Sequence, residues 1–173
     1  RFLNTKTIFT IHNIEYQGKY SLDILGDLFG ISDAHRGLVE YQDCINLMKG
    51  AIECANKVTT VSPSYAGEIL DPWYSHGLDT ILRERQWKLQ GILNGIDVDN
   101  YNPETDACIE KNFGVADVKK GKAANKKALQ ETMGLPQRED VPVIGLVTRL
   151  VSHKGLDLIK GILDELLYTT DVQ

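Results

Sequence analysis

The sequence predicts an α/β fold on parallel strands, and three observations carry that prediction. Short β-branched runs alternate with stretches whose apolar residues repeat at helical spacing, the order β, loop, α, β, α. Strand, turn and helix follow one another most clearly at Val141–Lys160, where Val143–Val147 reads as a buried parallel strand and Gly155 opens a helix. Three expected strand ends carry small polar groups, at His12, Ser62 and Asn94, and in parallel sheets that end is where ligands collect.

The 173 residues suffice for a domain with its own core, and 42% hydrophobic with 25% charged residues is ordinary for a globular protein. A formal charge of -5 argues against a nucleic-acid partner, which selects a basic face. No apolar run approaches membrane-spanning length, and RFLNTKTIFT is no signal peptide, so a cytoplasmic protein without a membrane partner is expected. Cys44, Cys54 and Cys108 are odd in number and widely spaced, which predicts buried reduced thiols and no disulfide framework or zinc site. The chain lacks an initiator Met and runs almost at once into a strand pattern, which reads as a piece of a longer protein.

In order, Thr5–Ile11 is β-branched and aromatic and predicts a strand ending at His12-Asn13. A lone histidine there fits a ligand contact or a capping group bonded to backbone. Glu15–Leu38, broken by four glycines, reads as a long functional loop with short helices. Asp43–Ala55 predicts a buried amphipathic helix with Gly50 at a close packing contact. Lys57–Ser62 predicts a strand, then Ser62 as N-cap and Pro63 at the start of a helix. A further helix is expected from Leu78, and Lys88–Ile96 returns to a strand pattern ending in the tight Asn94-Gly95 turn.

Asp97–Asp106, dense in Asp, Asn and Pro, marks a loop and a candidate boundary. Val115–Met133 predicts a helix whose five lysines form a solvated face, closed by Gly134 and Pro136. The last helix places Ile159, Ile162, Leu163, Leu166 and Leu167 on one face, with only a short tail after it. Arg149 and Lys154, five apart beside this helix's N-terminus, could seat a phosphate or be ordinary surface cations. The sequence has no G-x-G-x-x-G, no phosphate-binding P-loop, no metal-ligand spacing and no G-x-S-x-G elbow.

Five stretches together resemble bacterial glycogen synthases and the related starch synthases: TIHNIEYQG (Thr10–Gly18), KVTTVSPSYAGEI (Lys57–Ile69), GILNGIDVDNYNPETD (Gly91–Asp106), GKAANKKALQ (Gly121–Gln130) and TRLVSHKGLDLI (Thr148–Ile159). HGLDTILR at His76–Arg83 fits as well, and the resemblance runs in order along nearly the whole chain. It implies a retaining glucosyltransferase of the Rossmann-like GT-B fold, with two domains and a deep cleft. Residues 1–102 would be the later part of the N-terminal, acceptor-side domain. Residues 103–173 would be a linker, the basic helix and the start of the C-terminal, nucleotide-sugar domain.

The implied partners are a donor, ADP-glucose or UDP-glucose, and an α-1,4-glucan acceptor, with no cofactor and no metal. By the same resemblance Arg149 and Lys154 match the diphosphate-binding pair and His12 matches the histidine that reaches the transferred glucose. Asn94, with Gly95 in the LNGID turn, matches a donor-side contact, and Asn13 belongs to the same group. The family's N-terminal lysine-containing glycine-rich loop and C-terminal E-x(7)-E region have no counterpart in the 173 residues. The chain alone is therefore expected to be nearly inactive. His153 stands where Gln is common in the family, and Glu15 where Ala is common. The competing expectation is a non-catalytic glucan- or nucleotide-sugar-binding relative.

Overall fold

The computed structural model describes residues 4–173. Residues 1–3, part of the opening segment read as no signal peptide, lie outside the described residues. The chain divides into two units, Arg1–Gly95 and Ile96–Gln173.

In the first unit β1 (Ile8–Ile11) takes the second half of the expected strand. The long segment after it is more structured than its composition suggests. It carries β2 (Lys19–Tyr20) and two 3₁₀ turns at Leu22–Ile24 and Asp33–Leu38. It then leads into β3 (Glu40–Tyr41) and β4 (Cys44–Asn46). These strands form a small antiparallel sheet in the order β2-β4-β3. The front of the expected Asp43–Ala55 helix is therefore a strand. The reason is the two-residue turn Gln42-Asp43, where both φ angles are positive (51° and 58°) and Tyr41 pairs with Cys44. Two left-handed residues in a two-residue turn twist the chain as an antiparallel hairpin requires, and this overrides the helical spacing of Ile45 with Met48.

Helix α1 (Leu47–Cys54) starts at Asn46, whose side-chain oxygen accepts from Lys49 N–H at 2.9 Å. The Lys88 ammonium donates to Ala55 O at 2.7 Å and Glu53 O at 3.1 Å, placing a cation on the carbonyl end of this helix. A methyl group at Gly50 would stand 2.7 Å from Val39 Cγ1, so the expected close packing is present. β5 (Lys57–Thr60) lies parallel to β1, with Ile11 level with Thr60. At α2 (Pro63–Glu68) Ser62 is the N-cap, its hydroxyl accepting from Tyr65 N–H at 2.9 Å. Helix α3 (Asp79–Glu84) follows, then β6 (Leu89–Gly91), parallel to β5 and shorter than the run Lys88–Ile96. The sheet order is β1-β5-β6. Ile11, Met48, Ile52, Val58, Ile69, Leu78 and Leu82 build the main core around it.

In the second unit α4 (Val118–Thr132) ends as predicted. Gly134 has φ +66°, its N–H reaches Glu131 O, and Leu135 N–H reaches Gln130 O, the paired bonds of a Schellman cap. Most of its lysines face solvent, but the Lys126 ammonium donates to Glu139 O and Val141 O. Helix α5 (Leu156–Thr169) is also as predicted.

The buried strand expected at Val143–Val147 is not formed. The segment has no regular secondary structure and is mostly exposed, Val147 fully so. A strand exists only through its partners, and here the pairing stops after one step. Gln173 N–H donates to Pro142 O at 2.9 Å and Ile144 N–H donates to Gln173 O at 2.7 Å, which is the start of a parallel ladder at Val143. Strand, helix and returning strand are thus begun but not covered. Ile159, Ile162, Leu163 and Leu167 on α5 stay exposed. Cys54 and Cys108 are exposed rather than buried. Among the described residues no helix is long and apolar enough to cross a membrane.

Candidate functional site

In the first unit, the carboxyl ends of three parallel strands stand level, Ile11 beside Thr60 and Thr60 beside Gly91. His12 is the first residue beyond β1 and is exposed; Asn13 is half-buried. Asn94 and Gly95 follow three and four residues beyond β6 and are exposed. Ile92 N–H donates to Thr60 O at 2.7 Å and carries the pairing one residue further. The strands that lead to His12, Ser62 and Asn94 therefore end level with one another, but β6 stops at Gly91 and Asn94 lies beyond it in the following loop.

Local bonding fixes this edge. Asn13 Oδ1 accepts from Glu15 N–H at 2.9 Å, a turn of the kind Asn favours. Thr60 Oγ1 donates to Ile11 O at 2.8 Å, and the Tyr65 hydroxyl accepts from Ile14 N–H at 3.1 Å. Gln17, buried in the same motif, accepts from Asn46 Nδ2 at 2.7 Å and donates through Nε2 to His76 O at 3.1 Å. Its position in TIHNIEYQG is thus occupied by a buried strut. At Gly91 an added Cβ would lie 2.1 Å from Ser62 O and 2.4 Å from Pro63 Cα. Only glycine lets the start of α2 come this close to β6.

In the second unit, Arg149 and Lys154 are both exposed and lie on the N-terminal side of α5. The backbone between them is tightly turned: Val151 N–H reaches Arg149 O, Lys154 N–H reaches Val151 O and Gly155 N–H reaches Ser152 O. Gly155 is the N-cap of α5 at φ +67°, a left-handed conformation that suits glycine. Both cations precede the N-terminus of α5, whose first turn also carries Asp157. Among the described residues, no group of three or more His, Cys, Asp or Glu is placed to hold a metal ion.

Sequence reasoning did not single out Tyr65, Thr60 or Gln17. Each acts on a group 29 to 51 residues away, and no periodicity reports such a pairing. The only available signal was that all three stand inside the quoted motifs.

Comparison with known proteins places this architecture. Residues 1–84 match the family model described as starch synthase catalytic domain. The catalytic domain of Starch Synthase IV from Arabidopsis thaliana, solved bound to ADP and acarbose, superposes with a TM-score of 0.85 at 38% identity. The match covers 97% of this chain and 35% of that one. The fold is accordingly the α/β, Rossmann-like GT-B class of glycosyltransferases. The glycogen synthase of Streptococcus mutans serotype c is 51% identical over 156 residues, 89% of this chain and 33% of its own length. That of Exiguobacterium sibiricum is 47% identical over 175 residues, 100% of this chain and 36% of its own. The chain belongs to the glycogen synthase and starch synthase family and spans about a third of the length of the curated relatives it matches.

Proposed function

We propose that the full-length protein transfers glucose from ADP-glucose to the non-reducing end of an α-1,4-glucan with retention of configuration. The observation that carries this reading is the sheet edge of the first unit, where His12, Asn13 and Asn94 leave parallel strands that end level with one another. The family relationship, and a starch synthase bound to ADP and acarbose as structural neighbour, support the donor and acceptor classes. Residues 1–102 would serve the acceptor-side domain and residues 103–173 would open the nucleotide-sugar domain.

The chemistry asks little of a general acid. A nucleoside diphosphate leaves readily, and what must be stabilised is the negative charge growing on it as the glycosidic bond breaks. Arg149 and Lys154, with the N-terminal end of α5, supply fixed positive charge for that purpose. The sugar carbon becomes oxocarbenium-like, as in glycoside hydrolysis. His12 orients the glucose through its hydroxyls, Asn94 and Gly95 contact the donor, and Asn13 shapes the same edge. Retention follows from attack on the face the diphosphate leaves, with the departing phosphate taking the acceptor proton. No cofactor and no metal enters this scheme.

Transfer of radiolabelled glucose to glycogen by the full-length protein tests the reading, with ADP-glucose and UDP-glucose compared as donors. Transfer from ADP-glucose is expected. Binding of maltooligosaccharide or ADP-glucose without any transfer would instead favour a non-catalytic relative. The 173-residue chain alone is expected to transfer nearly nothing, and robust turnover by it would contradict that expectation.

A further inference from the structure

We propose that Tyr65 is a positioning residue, whose hydroxyl holds the His12-Asn13 turn in the geometry the transfer reaction requires. This rests on the role given to His12 above. The two residues sit between two buried neighbours, Ile11 and Ile14. On the entering side Ile11 O accepts from Thr60 Oγ1 at 2.8 Å; on the leaving side Ile14 N–H donates to the Tyr65 hydroxyl at 3.1 Å. Both ties come from one short segment, the end of β5 and the first turn of α2. The turn is thus bracketed by groups 49 and 51 residues away.

Tyr65 is itself held before it holds anything else. Its N–H is taken by the Ser62 cap at 2.9 Å, and its ring packs against the main core. Phenylalanine would satisfy the packing equally well. What the hydroxyl adds is one acceptor for one backbone N–H, at the residue where the turn re-enters the core. A neutral hydrogen bond of this kind contributes modestly to stability. An error of about 1 Å in a reacting geometry can cost as much as a hundredfold in rate. The signature of positioning is therefore a loss in turnover larger than the loss in stability.

A matched control lies in the same unit. The Tyr41 hydroxyl donates to Gly77 O at 2.9 Å, another tyrosine-to-backbone bond, and it does not touch the turn. In the full-length protein, Tyr65→Phe and Tyr41→Phe are compared for kcat, for KM of ADP-glucose and glycogen, and for thermal unfolding. Tyr65→Phe is expected to lower kcat about tenfold, with KM values within about twofold and most of the thermal stability retained. Tyr41→Phe is expected to leave kcat unchanged. Thr60→Val, which removes the tie on the other side, is expected to lower kcat in the same manner. Wild-type kcat in Tyr65→Phe overturns the inference. So does a fall matched by Tyr41→Phe, or one that only tracks the folded fraction. Absence of transfer by the wild type is a different result, and it overturns the functional reading together with this inference.

Discussion

The two units use similar elements and differ in how completely they bury them. In the first, α1 to α3 close over a parallel sheet, and Ile11, Ile52, Ile69, Leu78 and Leu82 are essentially inaccessible. In the second, α5 has a comparable apolar stripe, yet none of its residues is buried, and the segment before it pairs at one step. Burial, not propensity, separates them. The helix expected from the sequence forms, over 14 residues, but its apolar face lowers the free energy only when something covers it. The candidate residues inherit this difference. His12 and Asn13 stand on an edge fixed by core packing, whereas Arg149 and Lys154 stand on a surface turn held by its own backbone bonds.

The largest expected effect concerns that surface turn. If its cations stabilise the leaving diphosphate, Lys154→Ala in the full-length protein lowers kcat by about 10²- to 10³-fold, the scale for removing one donor to developing charge. Steady-state transfer from ADP-glucose measures it, and unchanged turnover would remove Lys154 from the site. Next comes the direct comparison of packing. Ile52→Ala, at a fully buried position, should cost about 2–5 kcal/mol in urea unfolding of this chain. Ile162→Ala, at a residue 56% exposed, should cost no more than about 0.5 kcal/mol. Equal costs would mean that α5 is as well covered as α1.

A glycine pair sharpens the same contrast. Gly91→Ala drives a Cβ into the backbone of Ser62 and Pro63 and should cost about 1–3 kcal/mol. Gly161, inside α5, has no atom within 4 Å of an added Cβ. There Gly→Ala should stabilise by about 0.5–1 kcal/mol, because alanine loses less backbone entropy on becoming helical. The two substitutions should move the unfolding midpoints in opposite directions.

The same distinction explains what could be read from the sequence. Ser62 with Pro63, and Gly134, were legible because the residues that make each cap lie within six positions of one another. Gly50 was legible because a glycine amid buried helical spacing has few other uses. The hairpin at Gln42-Asp43 was not, since neither residue advertises a positive φ as Asn-Gly would. Nor was the fate of Val143–Val147, because its composition describes a strand while its partners decide whether one forms. At the candidate site, the strand-end position of His12 followed from pattern, whereas β6 ends at Gly91, three residues before Asn94. The support of the His12-Asn13 turn by Tyr65 and Thr60 depends on contacts across some 50 residues, to which local pattern is blind.

The smallest expected effect is a pH dependence, and it too divides the units. Among the described residues, an arginine–carboxylate pair in each unit holds its carboxyl below the usual range. Glu40 is lowered first by its hydrogen bond from Arg36, and Asp171 first by its hydrogen bond from Arg138. In both, burial opposes the shift. A carboxyl that is more acidic when folded binds fewer protons in the folded state than in the unfolded state. Its contribution to stability is therefore complete above the unfolded carboxylate range, near pH 4–5, and is lost as pH falls through the folded value. The pairs differ in reach. Arg36 and Glu40 lie four residues apart, whereas Arg138 and Asp171 are separated by 33 and tie the segment after α4 to the segment after α5. Protonating Glu40 should thus loosen one local turn. Protonating Asp171 should release the chain end that bonds to Pro142 and Ile144. Protection of the Ile144 amide against hydrogen exchange should fall as pH drops below the usual carboxylate range, while that of Ile52 in the first unit should not follow it. Asp171→Asn should show the faster exchange at neutral pH and lose the acid dependence, and an Ile144 amide indifferent to both would show that the pair does not hold the chain end.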